Sequence, residues 1–268
     1  MSTRAVTCKR RSPGCPRLRT HRPSGAVRRW LLLALVTLAC AGGSPAGDAS
    51  DLRVDPDRVA AIQSALGPLI AAGAEDGSSL TIGLDEVLGA LDPDSRRFLE
   101  TVQRSAGVDV PPGPATGVAL VRLEDQQVGE TSLPVQLLPR PVYEAYRGMS
   151  AAMEAELGTH LRVGSGYRSH GYQLFVFASY LPVADYSLRE TLRHVSLPSE
   201  HSQPDRQGID FVSEAGVDIA YADPEAFRAL PEFAWLVAHA SGFGFAPLPD
   251  EEAASSPWHW HWTRGTRN

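Results

Sequence analysis

Three residues set the terms on which this chain can fold: His201, Asp210 and His259. His201 follows a Pro198-Ser199-Glu200 turn, and Asp210 sits on a strand-like stretch at 208–212. His259 belongs to an aromatic run, Pro257-Trp258-His259-Trp260-His261-Trp262. Two imidazoles and a carboxylate are a donor set for zinc, and a catalytic zinc site keeps one coordination position open. If the three act together, the fold must bring the run at 258–262 close to the stretch at 208–212. Glu200 and Asp205 are alternative carboxylates. Asp210 is preferred because Ile209 and Phe211 on either side would anchor it on a core strand and fix its rotamer. His259 and His261 alternate on the final strand and are expected to point to opposite faces, so that only one reaches the metal.

The rest of the chain limits what surrounds this set. Its 268 residues suit one domain of ordinary size with a leader and a small helical extension. The net charge of −6 hides an asymmetry: residues 1–47 carry nine Lys/Arg and no Asp/Glu, which leaves 16 basic against 31 acidic residues, a net of −15. A body this acidic lacks the basic footprint of a nucleic-acid binder, and no nucleic-acid partner is expected. Cys8, Cys15 and Cys40 all fall in the leader, so no disulfide framework holds the body together. Arg28-Arg29 precedes an apolar run at 30–40 that is too short to span a bilayer and is followed by small residues. That is the pattern of a secretory signal, so residues 1–40 are expected to direct export to the cell envelope. Cys40 is either the acylated first residue of a membrane-anchored lipoprotein or part of a plain signal peptide. Residues 41–50 read as a flexible tether.

Residues 51–110 read as a helical extension without a chemical motif. Val59, Ile62, Leu66 and Ile70 recur at helical spacing, with Gly67-Pro68 expected to break or kink the helix. Leu84, Val87, Leu88 and Leu91 repeat the pattern, and Asp92 or Asp94 can cap a further helix at 95–105. A proline-rich linker at 108–114 marks the boundary of a main domain at 116–268. There, 118–123 and 161–163 read as strands, and 143–157, 171–181 and 233–241 as helices. A glycine-flanked turn, Gly164-Ser165-Gly166-Tyr167-Arg168-Ser169, presents Arg168 with its fork suited to a carboxylate or a developing oxyanion. Gln173 follows at the start of the next helix.

The ordered set Ser165-Gly166-Tyr167-Arg168-Ser169, Gln173, Ser199-Glu200-His201, Ile209-Asp210-Phe211, Trp235-Leu236, Gly244-Phe245 and Pro257-Trp258-His259-Trp260 resembles the D-alanyl-D-alanine carboxypeptidases of the vancomycin-resistance type. These belong to a zinc peptidase group that shares its fold with hedgehog signalling domains. The resemblance covers about 116–262. It implies an α+β fold with an antiparallel sheet and flanking helices, and Zn2+ held by His201, Asp210 and His259. It also implies Arg168 as the group that steadies substrate or transition state, with Gln173 and Ser199 at the substrate, and peptidoglycan stem peptides as partners. Two departures stand out. Asp210 lies nine residues after His201 where the family has seven, which puts Arg206 in place of a family glycine. Ser256 stands where the family has its glutamate base, three residues before the last metal-binding histidine. Serine cannot take a proton at neutral pH as a carboxylate does, so Glu252, Glu251 or Asp250 would have to serve, and Glu252 is the candidate.

Overall fold

A computed structural model of the protein describes residues 52–106, 118–214, 223–249 and 256–263, all within the unit Val36–Asn268. The expected signal peptide with Cys40, the tether, the linker at 108–114 and the three carboxylates Asp250, Glu251 and Glu252 lie outside the described residues. The architecture is α+β. A central antiparallel sheet has the order β5-β6-β8-β7. Its strands are β5 (Arg162–Ser165), β6 (Arg206–Val212), β7 (Phe245–Pro247) and β8 (His259–Thr263). Two smaller pairs precede it: β1 (Leu120–Leu123) with β4 (Gln136–Pro139), and the hairpin β2 (Gln127–Val128) with β3 (Thr131–Ser132).

One face of the central sheet is apolar, and helix α4 (Arg140–Leu157) packs on it. Val142, Tyr146, Met149 and Met153 recur every three or four residues, so they share a stripe, and all four are buried. They meet Ile209, Phe211, Trp260 and Trp262 in one cluster. Burying each such side chain contributes about 1.5–3 kcal/mol. Tyr146 satisfies its hydroxyl by donating to Leu161 O at 2.9 Å. Gly158, in left-handed conformation, ends the helix. The outer edge of β5 is closed by a side chain: the Gln126 amide donates to Val163 O at 3.1 Å and accepts from Val163 N at 3.0 Å. A glutamine thereby stands in for a neighbouring strand at an otherwise unpaired edge.

The N-terminal helices α1 (Pro56–Ala72), α2 (Leu84–Gly89) and α3 (Pro93–Ser105) form a second cluster around α5 (His170–Tyr180). Val59, Ile62, Leu66 and Ile70 pack with Leu99 and Val102 against Leu174, Phe177 and Ala178. Asp92 caps α3, accepting from Asp94 N and Ser95 N. Of the two outcomes expected at Gly67-Pro68, a break does not occur: α1 runs through Pro68 to Ala72. The buried stripe on either side of the proline outweighs the one hydrogen bond it removes. Helices α6 (Leu188–His194), α7 (Pro224–Arg228) and α8 (Pro231–His239) follow among the described residues. No helix among the described residues is long and apolar enough to cross a membrane.

Candidate metal centre

Strands β6 and β8 pair so that Asp210 lies directly opposite His259. Ser165 of β5 is the other neighbour of Asp210. His201 reaches the same point from a short 3-10 turn, Glu200–Ser202, whose N-terminus is capped by the Ser199 hydroxyl accepting from His201 N at 3.2 Å. His201, Asp210 and His259 each bring one ligand atom within 4.8 Å of the others, and no other such group of His, Cys, Asp or Glu occurs among the described residues.

The atoms in contact show which nitrogens face inward. His201 Nε2 lies 3.4 Å from Asp210 Oδ2, and His259 Nδ1 lies 2.7 Å from Asp210 Oδ1. The outward nitrogens are also engaged. His201 Nδ1 donates to Gly166 O at 2.8 Å, and Gly166 N in turn donates to the buried Gln136 side chain at 3.1 Å. His259 Nε2 faces Glu200 Oε2 at 3.5 Å. Ligating histidines commonly give their second ring N–H to a carbonyl or carboxylate, which sets tautomer and ring orientation. The carbonyl and the carboxylate are both present here. Gly208 makes the crowding possible: a Cβ there would come within 3.1 Å of both Glu200 Cβ and His259 Cε1.

Electrostatics separates the two histidines. Burial, with the Arg168 charge adding to it, pushes His201 down to about 4. Burial also opposes a charge on His259, but Asp210 and Glu200 outweigh it and hold the ring up at about 9. Burial disfavours the charged form of Asp210 too, yet the two histidines keep its carboxyl well below the usual range. At neutral pH the centre is therefore one carboxylate, one neutral imidazole and one imidazolium.

Arg168 is partly buried beside this set, and its backbone N–H donates to His201 O at 3.0 Å. Gln173 is buried, with its amide donating to Ser196 O at 3.0 Å. Ser199 is buried and its oxygen caps the His201 turn. Asp205 is exposed. Ser256 lies at the turn into β8, where its carbonyl accepts from His259 N at 2.9 Å. The expectation that His259 and His261 point apart is corrected. Residues two apart on a strand share a face, and both histidines stand opposite the buried Trp260 and Trp262. Sequence reasoning considered Glu200 only as an alternative ligand, not as the partner of His259's outer nitrogen. Its place directly before His201 was visible, but the contact across to β8 was not.

Comparison with known proteins bears on this centre. Residues 136–265 match the family model VanY, D-alanyl-D-alanine carboxypeptidase. This segment is similar to the VanY carboxypeptidases. No curated protein matches the chain significantly. Among solved structures, the LdcB LD-carboxypeptidase, whose structure concerns peptidoglycan recognition, is 24% identical, covering 54% of this chain and 67% of LdcB with a TM-score of 0.43. VanYB in complex with D-alanine-D-alanine is 19% identical, over 56% of this chain and 80% of its own, at 0.40. A mutant of the vancomycin-resistance D,D-pentapeptidase VanY from a VanB-type cassette, in complex with Zn(II), is also 19% identical, over 56% and 81%, at 0.39. The VanY match takes in β4 through β8, and so contains every residue of the centre.

Proposed function

We propose that the protein is a zinc-dependent carboxypeptidase acting on peptidoglycan stem peptides that end in D-Ala. The observation that carries this reading is the convergence of His201 Nε2, an Asp210 oxygen and His259 Nδ1, with the outer nitrogen of His201 held by Gly166 O and that of His259 facing Glu200. Two imidazoles and one carboxylate fit zinc and leave a coordination position for chemistry. A zinc ion held there supplies Lewis-acid polarisation of the scissile carbonyl and acidifies water. Arg168 binds the substrate carboxylate or steadies the developing oxyanion through its guanidinium fork. Ser199 and Gln173 hold the frame, one by capping the His201 turn and the other by fixing Ser196 against α5. Glu252 takes the proton that the family's glutamate would take, because Ser256 cannot. A D-Ala-containing substrate belongs outside the cytoplasm, in keeping with the export signal read at residues 1–40, with Cys40 as the anchor if it is lipidated.

Ser256 itself favours a second reading, in which the domain binds wall peptides without cleaving them. Release of D-Ala from a wall pentapeptide by the zinc-loaded protein separates the two. The enzyme reading predicts turnover by wild type, a fall of about 10²-fold or more in Glu252→Gln, and little effect of Ser256→Ala. An inert wild type that gains turnover in Ser256→Glu would establish the binding module instead.

A further inference from the structure

We propose that Glu200 and Arg206 act as a positioning pair that fixes the His259 ring with Nδ1 turned toward Asp210. The proposal rests on the zinc reading above, but its residues lie outside the ligand set. Arg206 Nη2 holds Glu200 Oε1 at 2.9 Å, and Glu200 Oε2 faces His259 Nε2 at 3.5 Å. That second oxygen is buried, makes no hydrogen bond, and has the His259 ring as its charged neighbour. The chain of contacts therefore runs from an arginine at the start of β6, through the 3-10 turn, to the outer edge of the His259 ring, and ends at Nδ1 2.7 Å from Asp210.

Each link has a physical reason. An imidazole on a strand can rotate about χ2 and present either nitrogen, so an acceptor fixed on one side selects the other for the metal. A glutamate has three side-chain torsions and would not hold one pose unaided. Arg206 takes one of its oxygens and leaves the other directed at the ring. Gly208, between them on β6, removes the Cβ that would keep Glu200 and His259 apart. The entry into β6 thus places a cation next to Glu200. The Arg206–Glu200 pair is more than half exposed on the arginine side, so its contribution to global stability is small. Its effect falls on the orientation of His259.

The test compares the full chain with Glu200→Ala, Glu200→Leu, Arg206→Ala, Arg206→Lys and the Glu200→Ala/Arg206→Ala double variant. Zn(II) affinity is read by chelator competition, and the Co(II) absorption spectrum reports ligand geometry. Glu200→Ala is expected to weaken Zn(II) about 10–100-fold and alter the Co(II) spectrum, while the metal-free variant still unfolds in one cooperative transition. Arg206→Ala weakens it less, Arg206→Lys recovers part of the loss, and the double variant is no weaker than Glu200→Ala. Wild-type Zn(II) affinity and an unaltered Co(II) spectrum in Glu200→Ala would overturn the proposal, and the same result in Glu200→Leu, which also lacks an acceptor, would do so should the alanine variant fold poorly. A wild type that binds neither metal would instead overturn the zinc reading. The positioning pair is then decided by the ring 15N and 1H resonances of His259 in the metal-free protein. An Nε2–H signal that moves in both Glu200→Ala and Arg206→Ala supports it, and one that moves in neither contradicts it.

Discussion

His201 and His259 flank one carboxylate in opposite protonation states, and this sets how the centre takes up a metal. His201, at about 4, is neutral throughout the neutral range and presents a free Nε2. His259, at about 9, carries an extra proton, and Nδ1 must release it before a metal can bind. The sign follows directly: lowering the pH through the value for His259 makes protons compete with the metal, so affinity falls with falling pH. Between about pH 6 and pH 8.5 one proton is displaced per metal, and Zn(II) affinity should rise about tenfold per pH unit, flattening near pH 9. Chelator competition at several pH values, paired with proton release measured calorimetrically in two buffers, checks this. A flat profile over that range would mean that His259 is not protonated as its two carboxylate neighbours require. At this scale the clustering of the three candidate ligands was legible in the sequence because their types are few and their settings marked: glycine two residues before Asp210, tryptophans around His259. Glu200, Gln136 and the Gly166 carbonyl were not, because their roles arise from contacts between segments far apart in the chain.

The elements that carry the centre are held in place from the side of the N-terminal helices. Ser169, next to Arg168, donates through its hydroxyl to Ile82 O at 2.6 Å and through its backbone to Leu80 O at 2.8 Å. It also caps α5 by accepting from Tyr172 N. Gly171 fits so closely beneath the same loop that a Cβ would come within 2.5 Å of Ile82 O and 2.8 Å of Gly83 O. Residues 78–83 therefore clamp the start of α5, immediately after the arginine turn. Gly171→Ala should cost about 1–3 kcal/mol by overpacking against backbone, despite alanine's better helix propensity. Urea unfolding measures the change, and a variant as stable as wild type would show that the loop at 78–83 yields freely. Strands β6 and β8 were readable because the apolar residues of β6 and the tryptophans of β8 mark their buried faces. Strand β4 was not, since Gln136, Leu137, Leu138 and Pro139 are all buried and show no alternation. The β2–β3 hairpin is only two residues a side, too short for any period to register.

Over the whole molecule, the segment at 136–265 that matches the VanY model supplies the centre, and the helices at 56–105 share a core with its helix α5. The α+β class and the antiparallel site sheet were legible through the resemblance carried by the ordered motifs at 165–169, 199–201, 209–211 and 257–260. The sharing of one core by α1, α3 and α5 was not, because amphipathic helices look alike whether they pack on one another or on a neighbouring domain. The proposed roles all depend on the metal: substrate positioning by Arg168, proton transfer by Glu252 and orientation of His259 by Glu200 would have a purpose only if the centre binds one. Metal analysis of the purified full chain tests that most directly. The account predicts about one zinc per chain in wild type, the single-ion stoichiometry of such a site, and none in a folded His201→Ala variant. Zinc-free wild-type protein after loading, or His201→Ala retaining its full zinc, would contradict it.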